Sequence, residues 1–181
     1  MLSDLSGTAC GDWTRTTGFP GFNAFPLQGS VKAGGAHPYF AVMVAGSGPT
    51  DRDWSNPLIP GPSHGGRDIA AWLQAQGIGS LRYDKRFIGS KDAKLDISLD
   101  AQVGDIKAAL RAARLLPEAK GKKLLLVGHS EGALLSLLAA GDAEAALLLA
   151  MPGTSMGKLI RAQVKGQLDA ALAPPDRKSV V

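Results

Sequence analysis

The chain has 181 residues, 45% hydrophobic and 20% charged, with a formal net charge of +4 and a pI near 9.3. That is enough apolar material for one core and too little charge for a disordered chain, so a single domain over residues 1–181 is expected. No stretch reaches the roughly 18 apolar residues of a membrane span, and the basic residues are scattered without interleaved aromatics, so neither a membrane nor a nucleic acid is an expected partner. Met1-Leu2-Ser3-Asp4-Leu5 lacks the pattern of a secretory leader, and Cys10, the sole cysteine, has no partner for a disulfide. Both point to the cytoplasm, with Cys10 as a small apolar filler.

The first thirty-five residues are rich in Gly, Thr and Phe without helical period, which suits short strands and turns, one of them Leu27 to Lys32. Tyr39 to Ala45 is a continuous apolar run of strand length ending at Gly46, as a strand buried on both faces should be. A long loop broken by Pro49, Pro57, Pro60 and Pro62 leads to a helix from Gly66 to Gln76, stopped by Gly77. Ile78 to Tyr83 reads as a strand, Ala101 to Leu116 as a helix ended by Pro117, and Leu124 to Val127 as a third buried strand. A helix from Ser130 to Ala140, a strand from Ala145 to Ala150 and a helix from Gly157 to about Leu172 follow. Strands alternating with helices imply an α/β fold with a mostly parallel sheet covered on both faces.

The chemistry lies where the third strand meets its helix, in Gly128-His129-Ser130-Glu131-Gly132. In a Gly-x-Ser-x-Gly turn the glycines relieve crowding at a strained bend, and the serine hydroxyl is exposed above the strand ends. Ser130 is therefore the candidate nucleophile, and the Glu131 backbone N–H, opening the helix, a candidate oxyanion donor. The plainer reading makes Ser130 a helix N-cap. A second element, Gly46-Ser47-Gly48-Pro49-Thr50-Asp51-Arg52-Asp53, offers the other oxyanion N–H at Ser47, with Gly46 or Gly48 as alternatives. Asp51, Arg52 and Asp53 are read as local salt bridges. No Gly-Lys-Ser/Thr follows these glycines, which argues against a phosphate loop.

Together with Leu81-Arg82-Tyr83-Asp84-Lys85-Arg86 and Leu95-Asp96-Ile97-Ser98-Leu99-Asp100, these motifs resemble the bacterial α/β-hydrolases of the esterase, acyl-thioesterase and serine-aminopeptidase-like group, from about Leu27 to about Leu168. The resemblance implies an α/β-hydrolase fold and hydrolysis of small carboxylic esters or thioesters by a Ser-His-Asp triad, without metal or organic cofactor. It implies Ser130 as nucleophile and the N–H groups of Ser47 and Glu131 as the oxyanion hole. The group usually has glycine where this chain has Trp54 and Phe87, so either bulky residue reshapes an acyl pocket or simply packs.

The triad of this fold runs Ser, then Asp or Glu, then His along the chain, yet no histidine follows Ser130. The expectation is a truncated hydrolase fold lacking the last strands. Of the three histidines, His37 precedes a strand and sits at the opposite end of the sheet. His129, beside the serine, is expected to pack beneath the elbow. His64, in the loop after a strand, is the possible base, with Asp84 as a possible acid partner. Two readings remain: a working ester hydrolase, or a hydrolase-fold binding protein with little catalysis. Without further strands, Ala145 to Ala150 is an apolar edge, which predicts a homo-oligomer that covers it or exchanges the last helix.

Overall fold

The computed structural model describes residues 14–57, 61, 63–86, 88, 90 and 94–172. Residues 1–5, Cys10, Pro60, Pro62 and Phe87, which the sequence singled out, lie outside the described residues. The chain divides into two compact units, Met1–Met151 and Pro152–Val181.

The first unit is built on one six-stranded sheet. Two strands, β1 (Thr14–Pro20) and β2 (Pro26–Lys32), form an antiparallel hairpin in the Gly/Thr/Phe-rich region, registered from Thr14 opposite Lys32 to Pro20 opposite Pro26. The remaining strands are β3 (Tyr39–Val44), β4 (Gly79–Tyr83), β5 (Lys123–His129) and β6 (Ala145–Leu149), in the spatial order β1-β2-β4-β3-β5-β6. Only the hairpin and its junction with β4 are antiparallel; the β4, β3, β5 and β6 pairings are parallel. Each parallel crossover carries a helix: α1 (Gly65–Ala75), α2 (Leu99–Leu115) and α3 (Glu131–Leu138).

The apolar run of β3 explains the layering, because successive side chains of a strand point to opposite faces. Phe40, Val42 and Val44 join Val31, Leu81, Leu124 and Leu126 in one core, roofed by Ile106, Ala109, Leu110 and Ala113 of α2 and Leu135 of α3. Ala41, Met43 and Ala45 face the other way, with Val127 and with Ala70 and Leu73 of α1. The residues from Phe40 to Ala45 are each at most 3% exposed, so both faces are covered and the strand has no polar side to alternate.

Helix boundaries follow local signals. Ser98 caps α2 by accepting from the Ala101 N–H at 3.2 Å, and Gly77, at φ +79°, turns the chain out of α1 in the left-handed region that glycine tolerates. Because β3, β4 and β5 are parallel, the loops that follow them lie at one end of the sheet, where ligands bind in open α/β sheets. Among the described residues β6 pairs with β5 alone, and Leu147, Leu137 and Leu138 are between 42% and 51% exposed. The second unit contains α4 (Met156–Leu172). No described helix is long and apolar enough to cross a membrane.

Candidate active site

Strand β5 runs up to His129, and α3 starts at Glu131, so Ser130 alone makes the turn. Its backbone sits at φ +53°, ψ −119°, a region in which a non-glycine residue costs on the order of 1–3 kcal/mol. Neighbours hold it there. The Ser130 N–H donates to the Leu149 carbonyl of β6 at 2.9 Å, and its own carbonyl accepts from the Ala133 N–H at 3.1 Å. The flanking glycines are required by contact as well as by the bend. A Cβ at Gly128 would lie 2.6 Å from Ser136 Oγ and 2.7 Å from Ala133 Cα, and one at Gly132 would lie 2.5 Å from the Val44 carbonyl oxygen. Small residues thus let α3 pack directly on β5 and on the end of β3.

Ser130 occupies the N-cap position, yet its side chain makes no capping hydrogen bond. The N-cap reading therefore lacks the interaction that defines it. The Glu131 N–H, at the start of the helix, has no acceptor among the described residues. The loop after β3 passes alongside: a Cβ placed on Gly46 would lie 3.5 Å from Ser130 Cβ. The Ser47 N–H likewise has no acceptor among the described residues, while the Ser47 carbonyl accepts from Thr50 Oγ1 at 2.8 Å and Asn56 Nδ2 at 3.4 Å. These side chains fix the peptide next to the serine.

The charges of that loop are not the local salt bridges expected of them. Asp51 does turn inward, accepting from the N–H groups of Asp53 at 2.8 Å and Ser55 at 2.9 Å. Arg52 and Asp53 instead reach β4 and the residue after it. Arg52 donates to Asp84 through its backbone N–H at 2.8 Å and its Nε at 3.0 Å, and Asp53 forms an ion pair with buried Arg82. The Asp84 hydrogen bond holds the Arg52 guanidinium above its ordinary pKa. Asp84 is thus joined to Arg52 and shares no hydrogen bond with a histidine.

The three histidines separate. His37 lies before β3, its Nδ1 accepting from the Tyr39 N–H at 3.2 Å. His64 is half-buried at the start of α1, with Nδ1 3.2 Å from Ser55 Oγ and no hydrogen bond to Ser130. The expectation for His129 is corrected: it does not pack beneath the elbow but is exposed and stacks on Trp54, with centroids 5.5 Å apart and planes at 23°. Strand alternation is the reason. His129 is two residues after Val127 and shares its face, the α1 side, whereas α3 lies on the other. Trp54 itself is buried among Ala41, Met43, Ala70 and Leu73 at φ +65°, which accounts physically for the glycine that the resembled group carries at that position.

Comparison with known proteins bears on this geometry. The esterase EstD of Thermotoga maritima is 32% identical over 146 residues, covering 79% of this chain and 34% of the relative. The polyketide transferase ATR5 of Stachybotrys chlorohalonatus is 36% identical over 116 residues, covering 62% of this chain and 38% of the relative. Among solved structures, the α/β hydrolase GrgF of Penicillium sp. sh18 superposes with a TM-score of 0.63 at 25% identity, over 87% of this chain and 53% of that one. The Pyrococcus furiosus esterase Pf2001 gives 0.66 at 17% identity, over 90% and 56%. The chain belongs to the α/β-hydrolase fold. It spans about a third of the length of these curated relatives and about half of these solved structures. No family model matches it.

Two further interactions start just after β4, one of them reaching the elbow, and the sequence reading missed both. Lys85 Nζ, on a side chain only 7% exposed, donates to Glu131 Oε2 at 2.8 Å. Arg86 grips Asp105 of α2 with two hydrogen bonds, Nε to Oδ2 at 2.7 Å and Nη2 to Oδ1 at 2.6 Å. The available signal was the pair Lys85-Arg86 directly after a buried strand, since two cations at a strand end must find carboxylates if they are buried. Tyr83, beside them, has its phenol pushed up chiefly by burial, with the Asp105 charge adding to the effect and Arg86 opposing it. Among the described residues no group of His, Cys, Asp or Glu is arranged to hold a metal ion.

Proposed function

We propose that this chain is a serine hydrolase of small carboxylic esters or thioesters, with Ser130 as nucleophile and the N–H groups of Ser47 and Glu131 as its oxyanion hole. The observation that carries the reading is the strained, uncapped Ser130 at φ +53° between two glycines that admit no side chain. In the proposed reaction Ser130 Oγ attacks the carbonyl carbon, and negative charge develops on the carbonyl oxygen between the two N–H groups. The alcohol or thiol leaves, and water releases the acid from the acyl-enzyme. No metal or organic cofactor enters this scheme.

His64 is the in-chain base of the proposal, which requires it to leave Ser55 when substrate binds. A second reading, a hydrolase-fold binding protein with little turnover, is favoured by the lack of any hydrogen bond between a histidine and Ser130. Within the first reading we assign the cytoplasm as compartment, supported by one cysteine in 181 residues. We further propose that β6, which pairs with β5 alone among the described residues, pairs along its other edge with a second copy of the chain.

The test is hydrolysis of a short-chain chromogenic ester by wild type, Ser130→Ala and His64→Ala. Turnover by wild type that drops roughly 10³-fold or more in Ser130→Ala supports the nucleophile. An equal loss in His64→Ala supports that base. Wild type and Ser130→Ala that are equally inert leave the binding-protein reading.

A further inference from the structure

Lys85 lies two residues beyond the end of β4, and β3 separates β4 from β5 in the sheet. Its amino group therefore spans the end of β3 to reach the first residue of α3. Glu131, which it meets at 2.8 Å, has two opposed effects on the site. Its backbone N–H is the proposed oxyanion donor, while its carboxylate brings a negative charge to the same turn, where it would repel the charge that develops on a bound carbonyl. The fold invests a buried cation in this contact, which is costly unless the cation is paired.

We propose that Lys85 is a positioning residue for catalysis: its ammonium neutralises Glu131 and holds the first turn of α3, so that the elbow offers a hydrogen-bond donor without net negative charge. The inference rests on the nucleophile reading of Ser130. Among the described residues that line a cavity with Lys85, the charged or titratable ones are Arg86 and Tyr83 from its own segment and Asp105 from α2, and in a second cleft Asp84. Asp105 is joined to Arg86 and Asp84 to Arg52, whereas Glu131 is hydrogen-bonded to Lys85. Burial lowers the Lys85 pKa from the ordinary lysine value, with Glu131 pulling the other way. As pH rises through that lowered value the ammonium is lost, Glu131 stands uncompensated, and acylation slows.

The experiment follows covalent modification of Ser130 by a fluorophosphonate, in which Ser130 Oγ bonds to phosphorus and fluoride leaves, with the phosphoryl oxygen in the oxyanion hole. Intact-mass measurement gives the rate as a function of pH for wild type, Lys85→Met, Lys85→Met/Glu131→Gln and Lys85→Arg. The expected results are a rate about 10- to 100-fold lower in Lys85→Met, recovery of most of that loss in the double variant, and an alkaline fall in wild type that is absent from Lys85→Arg, whose guanidinium does not titrate. Packing alone would leave the double variant as slow as Lys85→Met, because both lose the same side chain, and that result overturns the proposal. So does an unchanged rate in Lys85→Met. If that variant does not fold, Lys85→Arg decides: persistence of the alkaline fall overturns the proposal and its loss supports it. Wild type that fails to label at all overturns the nucleophile reading and this inference with it, whereas labelling indifferent to Lys85 overturns this inference alone.

Discussion

The turn at residues 128–132 and the loop at residues 46–57 stand at the same end of the sheet, and they are held by different means. Sterics of the main chain shape the first: a left-handed serine between two glycines, each glycine pressed against a neighbouring element. Side chains drawn from distant sequence anchor the second, Arg52 on Asp84 and Asp53 on Arg82, over separations of 32 and 29 residues. A geometry set by backbone contact is encoded locally and admits few substitutions. One set by ion pairs is encoded across the fold and can loosen without collapsing.

The largest effect should come from Gly132→Ala. A Cβ there meets the carbonyl oxygens of Ala45 and Val44, and backbone on the end of a buried strand cannot swing aside as a side chain would. Destabilisation of about 3 kcal/mol is expected, read as a lower urea midpoint, together with loss of Ser130 reactivity. Wild-type stability in this variant would mean that the elbow is not pinned by its glycines, and the contrast with the loop would disappear.

The same contrast explains what the sequence disclosed. The parallel sheet was legible because β3 is apolar without interruption, and α1 was legible through its periodicity and Gly77. Ser130 was legible because its motif is contiguous. Strand β1 went unplaced, since Thr14-Arg15-Thr16-Thr17-Gly18 has no apolar alternation and its order comes from pairing with β2. The partners of Arg52, Asp53, Lys85 and Arg86 were illegible for a related reason: nothing in a local window says which distant carboxylate a cation will meet. His129 lies on the side opposite to the one expected because it is the last residue of β5 and continues the alternation of the strand past Val127, rather than belonging to the tight turn.

Trp54→Gly sharpens the comparison from within the loop, where two effects oppose each other. Glycine at φ +65° would relieve on the order of 1–2 kcal/mol of left-handed strain. Losing an indole that is 8% exposed and stacked on His129 should cost about 3–5 kcal/mol. The loss wins, and a net destabilisation of about 2 kcal/mol is expected in urea unfolding. A variant more stable than wild type would show that backbone strain governs this loop too, as it does the elbow.

The smallest effect is expected for Asp84→Asn, and it isolates the loop most cleanly. Asparagine keeps a carbonyl oxygen for the Arg52 N–H but gives up the charge facing the guanidinium, so only part of the contact is lost. Both side chains are partly open to solvent, 23% and 17% exposed, which tempers the loss to about 1 kcal/mol. Its consequence should be local. Proteolytic nicking within residues 46–57 should rise, and labelling of Ser130 should slow severalfold as the Ser47 peptide becomes less well placed, while the elbow keeps its own geometry. If global stability falls by about as much as in Gly132→Ala, the loop and the elbow form one cooperative unit, and the distinction between backbone-held and ion-pair-held segments fails for this fold.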